Sequence, residues 1–496
     1  DKMRPGMVLF SVVVLFLCVG ILTPKEMLEG FSNKGMITVA LLFLVSEGIR
    51  QSGTLGQVIK KLLPQGKTTV FKAQLRILPS VAFISAFLNN TPVVVIFAPI
   101  IKHWAKSVKL PATKFLIPLS YVTILGGICT LIGTSTNLVV HGMILEAGYE
   151  GFTMFELGKV GIFIAIAGII YLFIFSKRLL PDARPDTAVP DEEVEEGEKL
   201  HRVEAVLGAR FPGINKKLSD FNFQRHYGAE VKEIKTRNGQ RYVDHLEDVV
   251  LREGDTLVVM ADDTFIPTWG ESSVFVLLTN GNDPDTSGKK KRWLALILLV
   301  LMIVGATVGE LPATKEMFPD IKLDMFFFVC ITTIIMAWTN IFPARKYTKY
   351  ISWDILITIA CAFAISKAMV NSGVADCVAG FIIGLSDDYG PHVLLAILFV
   401  ITNLFTELIT NNAAAALAFP LALSISAQLG VSPTPFFVVI CMAASASFST
   451  PIGYQTNLIV QGIGNYKFTD FVRIGLPLNI ITFLISVILI PLIWNF

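Results

Sequence analysis

A run of apolar residues from Val400 to Leu423 carries Thr410, Asn411 and Asn412 at its centre. At about 1.5 Å per residue the run is long enough to cross a bilayer. Three polar side chains halfway along a continuous lipid-facing helix would be costly. The sequence therefore predicts a break, with Asn411 or Asn412 as N-cap of a helix that restarts in the alanines at 413–416. Broken backbone at membrane depth is tolerated only where protein buries it or it lines a wet cavity, so this stretch is a candidate binding site.

The stretch occurs twice. Residues 85–100 repeat 406–420, with Ser85, Asn90 and Pro99 standing 321 positions before Thr406, Asn411 and Pro420. Here Asn90 can cap, and Pro92 sits just inside the restarting helix, where a missing N–H costs nothing. Gly133-Thr-Ser-Thr-Asn137 matches Gly453-Tyr-Gln-Thr-Asn457 at an offset of 320. Ser32, Ser46 and Ser52-Gly53 match Ser352, Ser366 and Ser372-Gly373 at the same offset. An internal duplication with broken helices at corresponding positions is the signature of a secondary transporter.

Composition agrees with a polytopic α-helical membrane protein: 53% hydrophobic, 16% charged, mean hydropathy +0.63 over 496 residues. A net charge of +2 gives no reason to expect nucleic acid as a partner. The six cysteines lie in apolar segments and form no CxxC pair, which reads as packing and not as metal or redox chemistry.

In chain order, residues 7–23 read as a membrane helix and not a removed signal peptide, preceded by Lys2 and Arg4. Further spans are expected near 36–49, 114–132, 158–176, 293–310, 324–341, 352–370, 375–386, 392–405, 434–450 and 471–495, besides the broken segments. Glu47 reads as an ion pair with Arg50, and His103 as an interfacial side chain. Asp354 and Lys367 read as paired with each other or placed at the interface. The domain organisation is membrane repeat 1 (1–181), acidic linker (182–200), soluble α/β module (201–268), basic linker (269–292) and membrane repeat 2 (293–496). In the module, 203–207, 229–234 and 256–260 read as strands and 215–223 as a short helix, with turns at 237–239 and 254–255. Lys177, Arg178 and the cluster Lys289–Arg292 put the insert in the cytoplasm.

The polar residues meeting at the centre are Ser85, Asn89, Asn90, Thr91, Thr134 to Asn137, Thr406, Thr410, Asn411, Asn412, Thr456 and Asn457. They are neutral and contain no nucleophile–base pair, so an enzyme is not expected. Hydroxyls and amides at helix N-termini suit an anion, because exposed N–H groups and the helix dipole supply a positive field. Carbonyls of unwound backbone suit a dehydrated Na⁺. Glu407 is the one acid in the core stretch; its repeat partner is Ala86, so the duplicated site does not require it.

These residues resemble the divalent-anion/sodium symporters, which include sulfate and dicarboxylate carriers. That family is marked by a Ser-Asn-Thr type triplet at the tip of each of two re-entrant hairpins, here Asn89-Asn90-Thr91 and Thr410-Asn411-Asn412. The resemblance implies that the triplets, with Tyr454, hold the anion. It implies one sodium site at Ser85, Asn90, Gly133, Thr134 and Asn137, and another at Thr406, Asn411, Gly453 and Asn457. It further implies inverted repeats, elevator-type alternating access, a homodimer in the plasma membrane, and Na⁺ as coupling ion with no cofactor. Tyr454 and Gln455 stand where dicarboxylate carriers carry Thr-Pro, and Asn89 where a hydroxyl is usual. The insert is similar to the TrkA-C type ligand-binding module of potassium-conductance regulators, in 218–223, Tyr227-Gly-Ala-Glu-Val231, the 237–239 turn and 251–257. Transporters that combine the two are described as sulfate permeases, which makes sulfate the expected anion and an unidentified small molecule the module's ligand. A dicarboxylate/sodium symporter, a proton-coupled efflux or antiport protein using Glu407, and a module-gated channel are the alternatives. The channel lacks a Thr-Val-Gly-Tyr-Gly filter run.

Overall fold

The computed structural model describes residues 5–64, 66–182, 201–208, 210–236, 240–262, 265, 269, 274–279, 289–384 and 390–496. Lys2, Arg4, the acidic linker beyond 182, the 237–239 turn and most of the basic linker lie outside them.

The first half contains α1 (Pro5–Cys18), α2 (Pro24–Glu29), α3 (Lys34–Gln51), α4 (Thr54–Leu62), α5 (Val70–Ser85), α6 (Asn90–Ser107), α7 (Thr113–Gly127), α8 (Ser135–Glu146) and α9 (Gly158–Leu179). After the insert and its short helix α10 (Phe223–Tyr227) come α11 (Lys289–Gly309), α12 (Pro312–Met317), α13 (Met325–Trp338), α14 (Tyr347–Tyr350) and α15 (Trp353–Asn371). The chain closes with α16 (Val374–Gly384), α17 (Gly390–Leu408), α18 (Asn411–Leu429), α19 (Thr434–Ser445), α20 (Gln455–Gly464) and α21 (Phe468–Ile493). By length and composition, seven helical stretches among the described residues can cross a membrane.

The halves repeat element by element. Helix α1 maps onto α13 with both ends 320 positions apart, and α3 to α9 map in order onto α15 to α21. Local chemistry repeats too: Gly53 (φ 71°) and Gly373 (φ 72°) take the left-handed turn between α3 and α4 and between α15 and α16. Helices α6 and α20 run from the molecular centre toward the insert and touch its sheet. Their repeat partners α18 and α8 run from the same centre to the opposite end, where Phe419 and Tyr149 pack on Phe437.

Several expectations change. The 375–386 segment forms an eleven-residue helix, about 16 Å long, too short to span a bilayer; it is the counterpart of the short, amphipathic α4. The spans expected to 132 and 450 end at Gly127 and Ser445, where the backbone unwinds. Helix α11 precedes the second repeat, which begins at α13. Asp354 and Lys367 do not pair, being thirteen residues or about 20 Å apart along one helix. Glu47 does meet Arg50, at 2.6 Å.

The insert is a five-stranded antiparallel sheet of order β3-β2-β4-β1-β5. The strands are β1 (His201–Leu207), β2 (Glu230–Lys235), β3 (Arg241–Tyr242), β4 (Thr256–Ala261) and β5 (Phe275–Thr279), so the sheet runs past the expected end at 268. The expected helix at 215–223 is instead a series of turns, because Asn215 adopts φ 61° and Lys217 bridges to Val250. The helix starts at Phe223, where the Asn222 side chain accepts the Arg225 N–H. Strand alternation sorts β1: Val203, Ala205 and Leu207 face the module's own core, whereas Val206 joins the core of the membrane helices. On that second face Glu204 takes both oxygens to Lys102 of α6 (2.9 and 3.0 Å) and also meets Lys235 (3.4 Å). Burial pushes the Glu204 carboxyl up, but Lys102 and Lys235 outweigh it and hold it at about 2. Gly254 (φ 85°) lies against Leu458 of α20, whose side chain an added Cβ would meet at 3.0 Å.

Candidate functional site

Four helices begin at the centre: α6 at Asn90, α8 at Ser135, α18 at Asn411 and α20 at Gln455. Hairpin α5–α6 and hairpin α17–α18 supply two of these N-termini. The unwound stretches 128–134 and 446–454 supply the others. The N-cap residues are Asn89 and Thr410, one position before the expected Asn90 and one or two before the expected Asn411 or Asn412. Neither cap side chain bonds the first turn, and the Thr410 hydroxyl is buried without a partner. The first-turn N–H groups at these ends therefore have no side-chain acceptor, and each is the positive end of a helix of ten residues or more.

The tips contact the other repeat's unwound turn. Asn90, fully buried, donates through Nδ2 to the Tyr454 hydroxyl (2.7 Å), which also bonds Thr134 (2.8 Å). Asn411 donates to Thr136 (2.6 Å), and Thr136 and Ser135 both donate to Asn412 Oδ1 (3.3 and 3.2 Å). Thr91 donates to Gln455 (3.3 Å), the symmetry mate of the Ser135–Asn412 bond. Asn89 lines a narrow crevice between the first tip and α3 and α11, together with Ser46, Ser135, Leu299 and Met302. Asn90, Thr91, Asn411 and Asn412 thus each hydrogen-bond across to the other repeat, and Tyr454 joins Asn90 to Thr134.

Within each repeat, an asparagine binds the unwound turn. Asn137 Nδ2 donates to the carbonyl of Thr130 (2.9 Å) and reaches that of Gly127 (3.5 Å). Asn457 does the same to Thr450 (3.1 Å) and Ser447 (2.8 Å), each 320 positions later. Thr130 and Thr450 tie these turns to the hairpins by donating to the carbonyls of Ala86 and Glu407. Close approach explains the glycines. A Cβ on Gly453 would lie 2.3 Å from the Thr406 carbonyl oxygen, and one on Gly133 2.5 Å from that of Gly127.

The two expected sodium sites are not equivalent. In the first, Ser85 donates to Asn90 Oδ1 (2.7 Å), and Asn137 Oδ1 is buried with no partner, an acceptor that a cation would satisfy. In the second, Ser120 occupies Asn457 Oδ1 (2.7 Å), and Thr406 turns to the Ala444 carbonyl (2.6 Å) instead of Asn411. Sequence reading missed Ser120, Thr130, Ser447 and Thr450. Thr130 and Thr450 keep the 320 offset and could have been found by it; Ser120 has no polar counterpart.

The citrate transporter family profile matches this chain over residues 1–423 and 317–496. An uncharacterized transporter of Synechocystis sp. is 30% identical over 98% of this chain and 93% of its own length. Sodium/sulfate cotransporter 2 of Chlamydomonas reinhardtii is 30% identical over 56% of this chain and 31% of its own. The sodium-dependent dicarboxylate transporter SdcS of Staphylococcus saprophyticus is 25% identical over 29% of this chain and 28% of its own.

Proposed function

We propose, from the premise that this chain belongs to the citrate transporter family, that it is a sodium-coupled symporter of a small divalent anion, with sulfate as the first candidate. Membership makes it a membrane transporter and not an enzyme. The observation that carries the finer reading is the meeting of four helix N-termini on a neutral cluster of amides and hydroxyls, two from each repeat. Such an arrangement attracts an anion without a fixed positive charge, so the anion can also leave. Unwound carbonyls and the unpartnered Asn137 Oδ1 beside it suit Na⁺ as co-substrate. The names of the relatives that match point to sodium, sulfate and dicarboxylates. The buried Tyr454 side chain favours the compact anion, since its hydroxyl fills the gap between Asn90 and Thr134.

In this reading the hairpins and unwound turns form the moving part of an elevator, and α3, α11 and α13, which pack on one another, belong to the fixed part. The crevice between Asn89 and Met302 follows that division. The insert is a cytoplasmic, TrkA-C-like module for an unidentified ligand, and the molecule works as a homodimer. The test is radiolabelled sulfate uptake by Asn90→Ala and Asn411→Ala in proteoliposomes. Both are expected to lose Na⁺-dependent uptake while keeping a monodisperse, folded protein. Undiminished uptake in both would overturn the assignment.

A further inference from the structure

Glu407 sits in the last turn of α17, three residues before the second tip, and its repeat partner is Ala86. Its Oε1 accepts two hydrogen bonds, from the Ser449 N–H (2.8 Å) and from Asn479 Nδ2 of α21 (2.7 Å). Asn479 also donates to Ser449 Oγ (2.8 Å). Two oxygens in this cluster are buried without a partner: Glu407 Oε2 and Asn479 Oδ1, the latter on a side chain only 6% exposed. Two donors converge on Oε1, which leaves Oε2 as a buried acceptor with no donor. Among the described residues no lysine or arginine pairs with Glu407. A carboxylate at this depth needs a compensating charge.

We propose that Glu407 Oε2 and Asn479 Oδ1 are ligands of a third monovalent-cation site, taking Na⁺, that exists only in the second repeat. It is built from residues that belong to neither duplicated site: Asn479 is on α21, and Glu407 has no acidic counterpart. Its place beside the second tip follows from the contacts to Ser449 and from Thr450, which donates to the Glu407 carbonyl (3.1 Å). Loading this site would fasten α17 and the unwound turn to α21, and it would add one positive charge to each transported anion. The coupling role rests on the symport reading above, whereas the binding site does not.

The experiment is equilibrium ²²Na⁺ binding to the purified full-length chain in lipid nanodiscs, without any anion substrate. Glu407→Gln is expected to bind one Na⁺ fewer per chain than the unsubstituted protein. Asn479→Leu should weaken that same Na⁺ at least tenfold, whereas Asn479→Asp, which keeps an oxygen there and adds charge, should retain it. Size-exclusion profiles and melting curves establish that each variant is folded. If Glu407→Gln fails to fold, the Asn479→Leu and Asn479→Asp pair decides the matter alone. Equal Na⁺ counts in all variants would overturn the third site while leaving sodium symport intact. No Na⁺ binding to the unsubstituted chain would overturn both. Loss in Asn479→Asp equal to that in Asn479→Leu would reduce Asn479 to a hydrogen-bonding support and overturn its role as ligand.

Discussion

Tyr454→Phe removes one oxygen atom from the point where the repeats meet. That oxygen receives Asn90 Nδ2 at 2.7 Å and bonds Thr134 at 2.8 Å, and Tyr454 is 6% exposed. Phenylalanine leaves the Asn90 donor and the Thr134 hydroxyl bare, at a cost of about 1–3 kcal/mol for each group left unsatisfied. Asn90 then keeps only the Ser85 bond at its Oδ1 (2.7 Å), so its amide, at the proposed sodium site, is free to swing. If about 1–2 kcal/mol of this reaches sodium binding, half-saturating Na⁺ rises about five- to thirtyfold. The assay is anion uptake into proteoliposomes across a range of external Na⁺. A double-mutant cycle read by equilibrium ²²Na⁺ binding sharpens it: with Asn90→Ala in place, adding Tyr454→Phe should cost less than it does alone, because only the Thr134 bond remains to be lost. An unchanged Na⁺ dependence in Tyr454→Phe, or additive losses in the double variant, would refute the reasoning.

Gly453→Ala places a methyl group 2.3 Å from the Thr406 carbonyl oxygen and 2.1 Å from Ser447 Oγ. The unwound turn must retreat from α17 at a cost of about 1–3 kcal/mol; Na⁺-dependent uptake should fall at least tenfold, while Gly380→Ala, whose added Cβ meets nothing nearer than 3.8 Å, leaves the site's geometry alone. Lys102→Met breaks the half-buried pair with Glu204 and should loosen β1 from α6 and α20, read as about tenfold faster hydrogen exchange in 203–207. Because the Glu204 carboxyl is lowered from 4.5 to about 2, its pairing contributes fully above about pH 4.5 and is lost as pH falls toward 2. The same exchange should therefore quicken over that acidic window in the parent chain and much less in Lys102→Met.

The repeat was legible because it is written in residues whose chemistry is local. Asn90 and Asn411 break a helix, Gly53 and Gly373 reverse the chain, and Asn137 and Asn457 bond turns seven and ten residues upstream. Each such device acts within one stretch of chain, so its spacing survives in the sequence. What the sequence did not give were the contacts between stretches. Ser120 reaches Asn457 across 337 positions, and Asn479 reaches Glu407 from a helix that reads simply as apolar. The cap falls one residue early at the first tip and one or two early at the second, because Asn89 and Thr410 take up the cap backbone without using their side chains. The module's helix was misplaced for a related reason: Lys217 finds a strand partner in Val250, 33 positions away, and tertiary pairing overrides local preference. The docking of β1 could be read only in half, since the alternation of Glu204 and Val206 shows a second face but not what covers it.

Uptake of radiolabelled sulfate, succinate and citrate into proteoliposomes holding this chain measures sodium-coupled anion symport itself. An inward Na⁺ gradient is compared with an equal K⁺ gradient and with a proton gradient. Sulfate should accumulate with Na⁺ alone, and succinate and citrate should compete more weakly than selenate. Accumulation driven by the proton gradient and indifferent to Na⁺, or no accumulation of any of the three anions, would contradict sodium-coupled symport.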